Sequence, residues 1–156
     1  KGGAGAARGV RPCRCPGPRV FGRTCAGWGG GRTRATFAAV GDAGLALHWD
    51  KPLLAEQQEA LRIQLALAKK HQLPIVLHTR EAFAETVALV REAQDGNLRG
   101  VFHCFSGDAW LSKDALYLGF YLSFAGILTF KNATMIRDIA KTVLLDRIMI
   151  EPDCPY

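Results

Sequence analysis

Three residues that bind divalent metals well, His78, His103 and Asp153, stand where short apolar runs stop. PIVLH closes on His78, GVFHCFSG carries His103, and RIMIEPD closes on Asp153. Neutral imidazole and carboxylate together suit Zn²⁺, Mn²⁺ or Mg²⁺, with histidine favouring the first two and oxygen donors the last. Such an ion lowers the pKa of a bound water and polarises a phosphoryl or carbonyl oxygen. One such ending is explained by a histidine hydrogen-bonding at a sheet rim; three in succession indicate a metal-dependent active site. After His103, Ser106 and Gly107 supply a turn able to present backbone N–H groups to an anion. Glu151 precedes Asp153 in EPD, and solvation alone does not explain an acid pair directly after an apolar strand. Cys104 adjoins His103, but neighbours on a strand face opposite ways, so no Cys–His nucleophilic pair is expected.

Elements that would hold these residues are legible around them. TFAAVG reads as a strand, and LLAEQQEALRIQLALAKKHQ as a helix with Leu54, Leu61, Leu65 and Ala68 on one face. PIVLH is a strand opened by Pro74, a position that tolerates the missing donor. A helix over about Glu81 to Gln94 ends at the turn Asp95-Gly96-Asn97. GVFHC is the next strand, and a helix from about Ala109 to Leu118 stops at Gly119. FYLSF is a strand, Asn132 is expected to cap a helix carrying Ile136, Ile139, Ala140 and Val143, and RIMIE is the last strand. Trp49 and Trp110 read as packing or rim aromatics in preference to base-stacking platforms. Strand alternating with helix implies a parallel sheet with right-handed crossovers. A flavodoxin-like sheet and a barrel segment both fit; ligand-type residues at successive strand ends favour the barrel, whose chemistry sits at the C-terminal face.

Composition divides the chain near residue 36. Ten of the 17 glycines fall within residues 1–36, and eight of the 20 basic residues but none of the 14 acidic ones lie within residues 1–41. Such a stretch buries too little apolar surface to offset its ordering entropy, so 1–36 reads as a disordered Gly/Arg-rich tail and 37–156 as the folded domain. At 156 residues the chain is shorter than a complete (β/α)₈ barrel of about 250 residues. It begins at Lys1 with no Met before Met135, as a piece of a longer protein would. Neither a signal peptide nor a membrane span is apparent, so a soluble, cytoplasmic or nuclear protein is expected, with its five cysteines as free thiols. Cys13, Cys15 and Cys25 lack zinc-finger spacing.

The stretches VGDAGL…HWDKPLLAEQQEALRIQLALAKKHQLPIVLHTREA, VFHCFSG and LLDRIMIEPDCPY make roughly residues 37–156 resemble the TatD family of metal-dependent hydrolases, in the amidohydrolase superfamily. The resemblance implies an α/β fold, here a partial TIM-like (β/α) barrel of parallel strands. It also implies hydrolysis of phosphodiesters, typically of DNA, with two divalent ions. Carried over by motif, the metal ligands would be His78, His103 and Asp153, with Asp42 where the family has a bridging Glu. Asp153 would also orient or deprotonate the attacking water, and Arg80 would stabilise charge on a phosphate. The family's HxH pair has no counterpart, since no His precedes His48. Asp42 is a methylene short, Ala46 stands where an Asp is usual, and Pro152 replaces a Thr. One ion or none is therefore expected, with Mg²⁺, Mn²⁺ and Zn²⁺ all open.

Two rivals accompany this reading. In one, the barrel part is inert and the basic tail binds nucleic acid non-specifically; in the other, residues 1–36 are not natural coding sequence. No membrane or obligate protein partner is expected, though exposed sheet edges would favour self-association.

Overall fold

A computed structural model describes residues 39–47 and 54–152. Each apolar run becomes a short strand and each amphipathic stretch a helix: β1 Val40–Ala43, α1 Leu54–His71, β2 Ile75–His78, α2 Phe83–Ala93, β3 Gly100–His103, α3 Ala109–Tyr117, β4 Tyr121–Phe124, α4 Thr134–Thr142 and β5 Ile148–Ile150. Two 3-10 turns, Gly126–Thr129 and Leu145–Arg147, precede α4 and β5. The boundaries follow local chemistry. Gly119, at φ 85°, takes the left-handed conformation that ends α3. Asp108 caps the start of α3 by accepting the Leu111 N–H at 2.8 Å. The expected cap at Asn132 does not form: α4 starts at Thr134, so Ala133, which has no side-chain acceptor, holds the cap position and Asn132 lies one residue too early.

All four strand pairs are parallel, and the sheet order β1-β2-β3-β4-β5 follows the chain without reversal. That settles the alternative left open above. A doubly wound sheet reverses direction at a switch point, whereas sequential parallel strands with right-handed crossovers put every helix on one face. The fold is thus a five-stranded arc of a (β/α) barrel.

The core lies between this arc and its helices. Ile75, Leu77, Phe102, Phe120, Leu122 and Phe124 are buried with Leu61, Leu65 and Val90 of the helices. Phe102 meets Phe120 at 5.5 Å between centroids, and Phe105 stacks edge-on against Phe83 and Phe124. Gly107 is fitted to that cluster, since a Cβ there would stand 2.9 Å from the Phe105 ring. Along β2 and β3 burial alternates, with Ile75, Leu77, Gly100 and Phe102 fully covered and Val76, His78, Val101 and His103 only partly so. The pleat therefore turns both histidines to the face away from the helices.

Candidate metal centre

His78 and His103 are the last residues of neighbouring strands and are paired in register. Their ring centroids lie 5.6 Å apart with the planes tilted by 42°. Period-2 alternation puts Ser123 of β4 and Glu151, just past β5, on the same face. The Glu151 carboxylate grips the end of β3 twice. One oxygen accepts the Cys104 N–H at 2.9 Å, and the other lies 2.7 Å from His103 Nδ1. A carboxylate at Nδ1 fixes the ring and its tautomer, placing the lone pair on Nε2, as in carboxylate–histidine–metal arrangements.

Electrostatics agree with this role. Burial raises the Glu151 pKa, but the adjoining Ser123 hydroxyl, the Cys104 N–H and His103 outweigh it, and the carboxyl ends below its ordinary value. Glu151 is thus an anion held ready to accept. Ser123 Oγ itself is buried, beside the carboxylate but outside strict hydrogen-bond geometry.

Cys104 departs from expectation in one respect. Strand alternation stops at His103, because Cys104 has φ 48°. Ligand atoms of His103, Cys104 and Glu151 consequently lie within 4.8 Å of one another, the one such group of three metal-ligating residues among the described residues. Two N–H groups ahead of the Ser106-Gly107 turn are already engaged. The Cys104 N–H serves Glu151, and the Phe105 N–H serves Ser123 O at 2.8 Å.

Asp42 sits in an irregular stretch of β1. Val40 pairs with Ile75 and Ala43 with Leu77, so three residue steps face two, and Asp42 adopts φ 53° with its side chain exposed. A bulge of this kind re-aims a side chain, but Asp42 joins no ligand group among the described residues. Gly44 lets the chain leaving β1 pass over β2: a Cβ there would stand 1.8 Å from His78 O. Arg80 is exposed, two residues beyond His78, and its backbone is stitched to that passing segment by N–H to Leu45 O and C=O to Leu47 N, each 3.0 Å. Buried Gln57 secures the same segment, accepting the Ala46 N–H at 2.9 Å and donating to Ala46 O at 3.2 Å. Asp153, His48 and Trp49, together with the tail 1–36, lie outside the described residues. Trp110 is a rim residue, 62% exposed.

The structure therefore brings together His78 and His103, places Arg80 nearby along the chain, and adds Glu151, whose role the sequence reading missed. The acid pair in EPD drew attention to Glu151, but the signal for its place was period: it lies two residues from Met149, on the face shared with the histidines. Among the described residues the group with ligand atoms close enough for an ion is His103, Cys104 and Glu151, with the His78 ring 5.6 Å from that of His103.

A family model described as "TatD related DNase" matches residues 23–156. The chain is 42% identical over 118 residues to "Uncharacterized metal-dependent hydrolase YabD" of Bacillus subtilis, covering 76% of this chain and 46% of that protein. It is 40% identical over 118 residues to "Uncharacterized metal-dependent hydrolase YcfH" of Escherichia coli K12, covering 76% and 44%. The crystal structure of YjjV, a TatD homolog from Escherichia coli K12, superposes with a TM-score of 0.70 at 31% identity, covering 74% of this chain and 44% of that one. The chain thus spans less than half the length of the relatives it matches.

Proposed function

Because the chain belongs to the TatD family of metal-dependent hydrolases, we propose that its strand-end site hydrolyses phosphodiester bonds of DNA with a metal-activated water. The observation that carries the reading is the in-register pair His78–His103 with Glu151 seated on His103 Nδ1. His78 and His103 would hold the ion, with Asp42 and Asp153 as the carboxylate ligands that the family resemblance adds. When bound, a divalent ion lowers the pKa of water and neutralises charge on the phosphoryl group. Glu151 keeps the His103 lone pair aimed by holding the opposite nitrogen. Asp153 orients the attacking water or accepts its proton. Arg80 supplies a fixed cation to the phosphate oxygens, which gain charge as the bond to the leaving oxygen breaks.

Calorimetry with Mn²⁺ and Zn²⁺ on the wild-type chain and on His103→Ala tests the site directly. Stoichiometric binding lost in the variant, with DNA cleavage abolished by EDTA, is the expected result. Absence of metal binding by folded wild-type chain defeats the proposal. A second reading rests on the eight cations and no acids of residues 1–41: an inert barrel part with a basic tail that binds nucleic acid non-specifically. Binding of that kind falls steeply with salt and ignores metal, whereas hydrolysis requires the ion.

A further inference from the structure

The loop between β4 and α4 is closed on itself. Leu128, Phe130 and Ala133 donate their N–H groups to the carbonyls of Ala125, Ile127 and Phe130, and Thr129 Oγ1 donates to Gly126 O at 2.7 Å. From the first turn of α4, the Arg137 guanidinium reaches back to Leu128 O at 3.2 Å, Phe130 O at 2.5 Å, Lys131 O at 3.1 Å and Thr134 Oγ1 at 3.3 Å. One guanidinium holding four acceptors leaves the loop little room to change shape. Yet the ring this loop presents, Phe130, is 64% exposed, and the adjoining Lys131 is exposed too.

Exposure alone does not single out Phe130, because isolated surface aromatics are common. Tyr117 is more exposed, and Tyr121 is also partly in solvent. Those two lie at the end of α3 and the start of β4, which is the far end of the sheet, and Arg147 covers the Tyr121 ring at 5.4 Å. Phe130 and Trp110 instead lie in or just beyond the connections leaving the C-terminal ends of β4 and β3. His78, His103 and Glu151 occupy that same end.

We infer that Phe130, with Lys131 beside it, is a positioning platform on which a nucleobase of a single-stranded DNA end stacks while its phosphodiester reaches the His78–His103 centre. The substrate class rests on the hydrolase reading above. Every base has a π-face, so stacking on a held ring tolerates sequence, and the neighbouring ammonium meets the backbone phosphate. A duplex keeps its bases inside the stack, so the platform favours single strands.

Fluorescence anisotropy with a labelled thymidine oligonucleotide tests this on the whole chain, in EDTA and at an ionic strength that screens the N-terminal arginines. Phe130→Ala is expected to bind roughly tenfold more weakly, within the range one stacked base contributes, and to raise KM more than it lowers kcat for oligonucleotide cleavage. Phe130→Trp, which keeps a ring, is expected to bind at least as well as wild type. Equal affinity of Phe130→Ala and wild type overturns the inference, as does weak binding by Phe130→Trp. An equal loss on single strand and blunt duplex also overturns it. Metal calorimetry separates the two levels: metal binding with unchanged oligonucleotide affinity removes the platform alone, while no metal binding removes the hydrolase reading and the placement that depends on it.

Discussion

Glu151 shows how one side chain converts a histidine at a strand end into an oriented donor. Its two oxygens are divided between a backbone N–H and His103 Nδ1, so both its geometry and its charge matter. Glu151→Gln keeps the size but removes the charge and one acceptor. Metal affinity is expected to fall about 10–100-fold, the usual cost of losing a carboxylate behind a metal-ligating histidine, with the fold intact by circular dichroism. Wild-type affinity in calorimetry would show that His103 needs no anchor. At this scale the sequence was half legible. His78 and His103 were found because each ends an apolar run. Glu151 stood out only as half of an acid pair; its hold on His103 and Cys104 was not legible, because the contact with Cys104 spans 47 residues and crosses β4.

At the scale of elements, the segment after β1 depends on α1 as much as on the sheet. Gln57 presents both an acceptor and a donor to the Ala46 backbone, and so holds the segment that pairs with Arg80. Gln57→Ala removes both partners of the part-buried Ala46 backbone, each hydrogen bond worth about 0.5–1.5 kcal/mol. A loss of roughly 2 kcal/mol is expected from urea unfolding at unchanged slope, the sum of the two bonds. A second tie joins the end of α1 to the turn before β3: Lys69 Nζ donates to Ala93 O at 2.8 Å and meets Asp95 Oδ2 at 2.9 Å. The hydrogen bond from Lys69 and the Asn97 N–H lower the Asp95 pKa. A carboxyl depressed by folding adds stability above its unfolded pKa, and that contribution is lost as pH falls through the folded one. Asp95→Asn should therefore lower stability at neutral pH and flatten its decline below the carboxylate range. Identical acid limbs for the two proteins would count against the tie. Helices α1 and α4 were legible from apolar positions at helical spacing, and α2 and α3 from the Asp95-Gly96-Asn97 turn and Gly119 that end them. The 3-10 turn Gly126–Thr129 was not, since a single turn shows no period, and Asn132 misled because the helix starts one residue later, with Ala133 at the cap position.

For the whole molecule, the open question is what its edges meet. Among the described residues β1 and β5 each pair along one side only. Beside β5, Leu144, Leu145, Met149 and Ile150 are exposed, Leu145 at 90% and Ile150 at 85%. No helix among the described residues is long and apolar enough to cross a membrane, so a bilayer-spanning helix does not account for this surface. An unpaired parallel edge beside apolar side chains is a template for further pairing. Sedimentation velocity should show a weight-average mass that rises with concentration for the 17.0 kDa chain. Ile150→Lys puts a charge on the edge while leaving the buried core untouched, and is expected to lower that mass toward the monomer. The effect should weaken little with salt, because the driving force is apolar burial and backbone pairing, not charge. Raised salt would instead dissolve any association made through the N-terminal arginines, so the two origins separate in one titration. A concentration-independent monomer with cooperative unfolding would mean that the β5 edge is already satisfied by the rest of the chain.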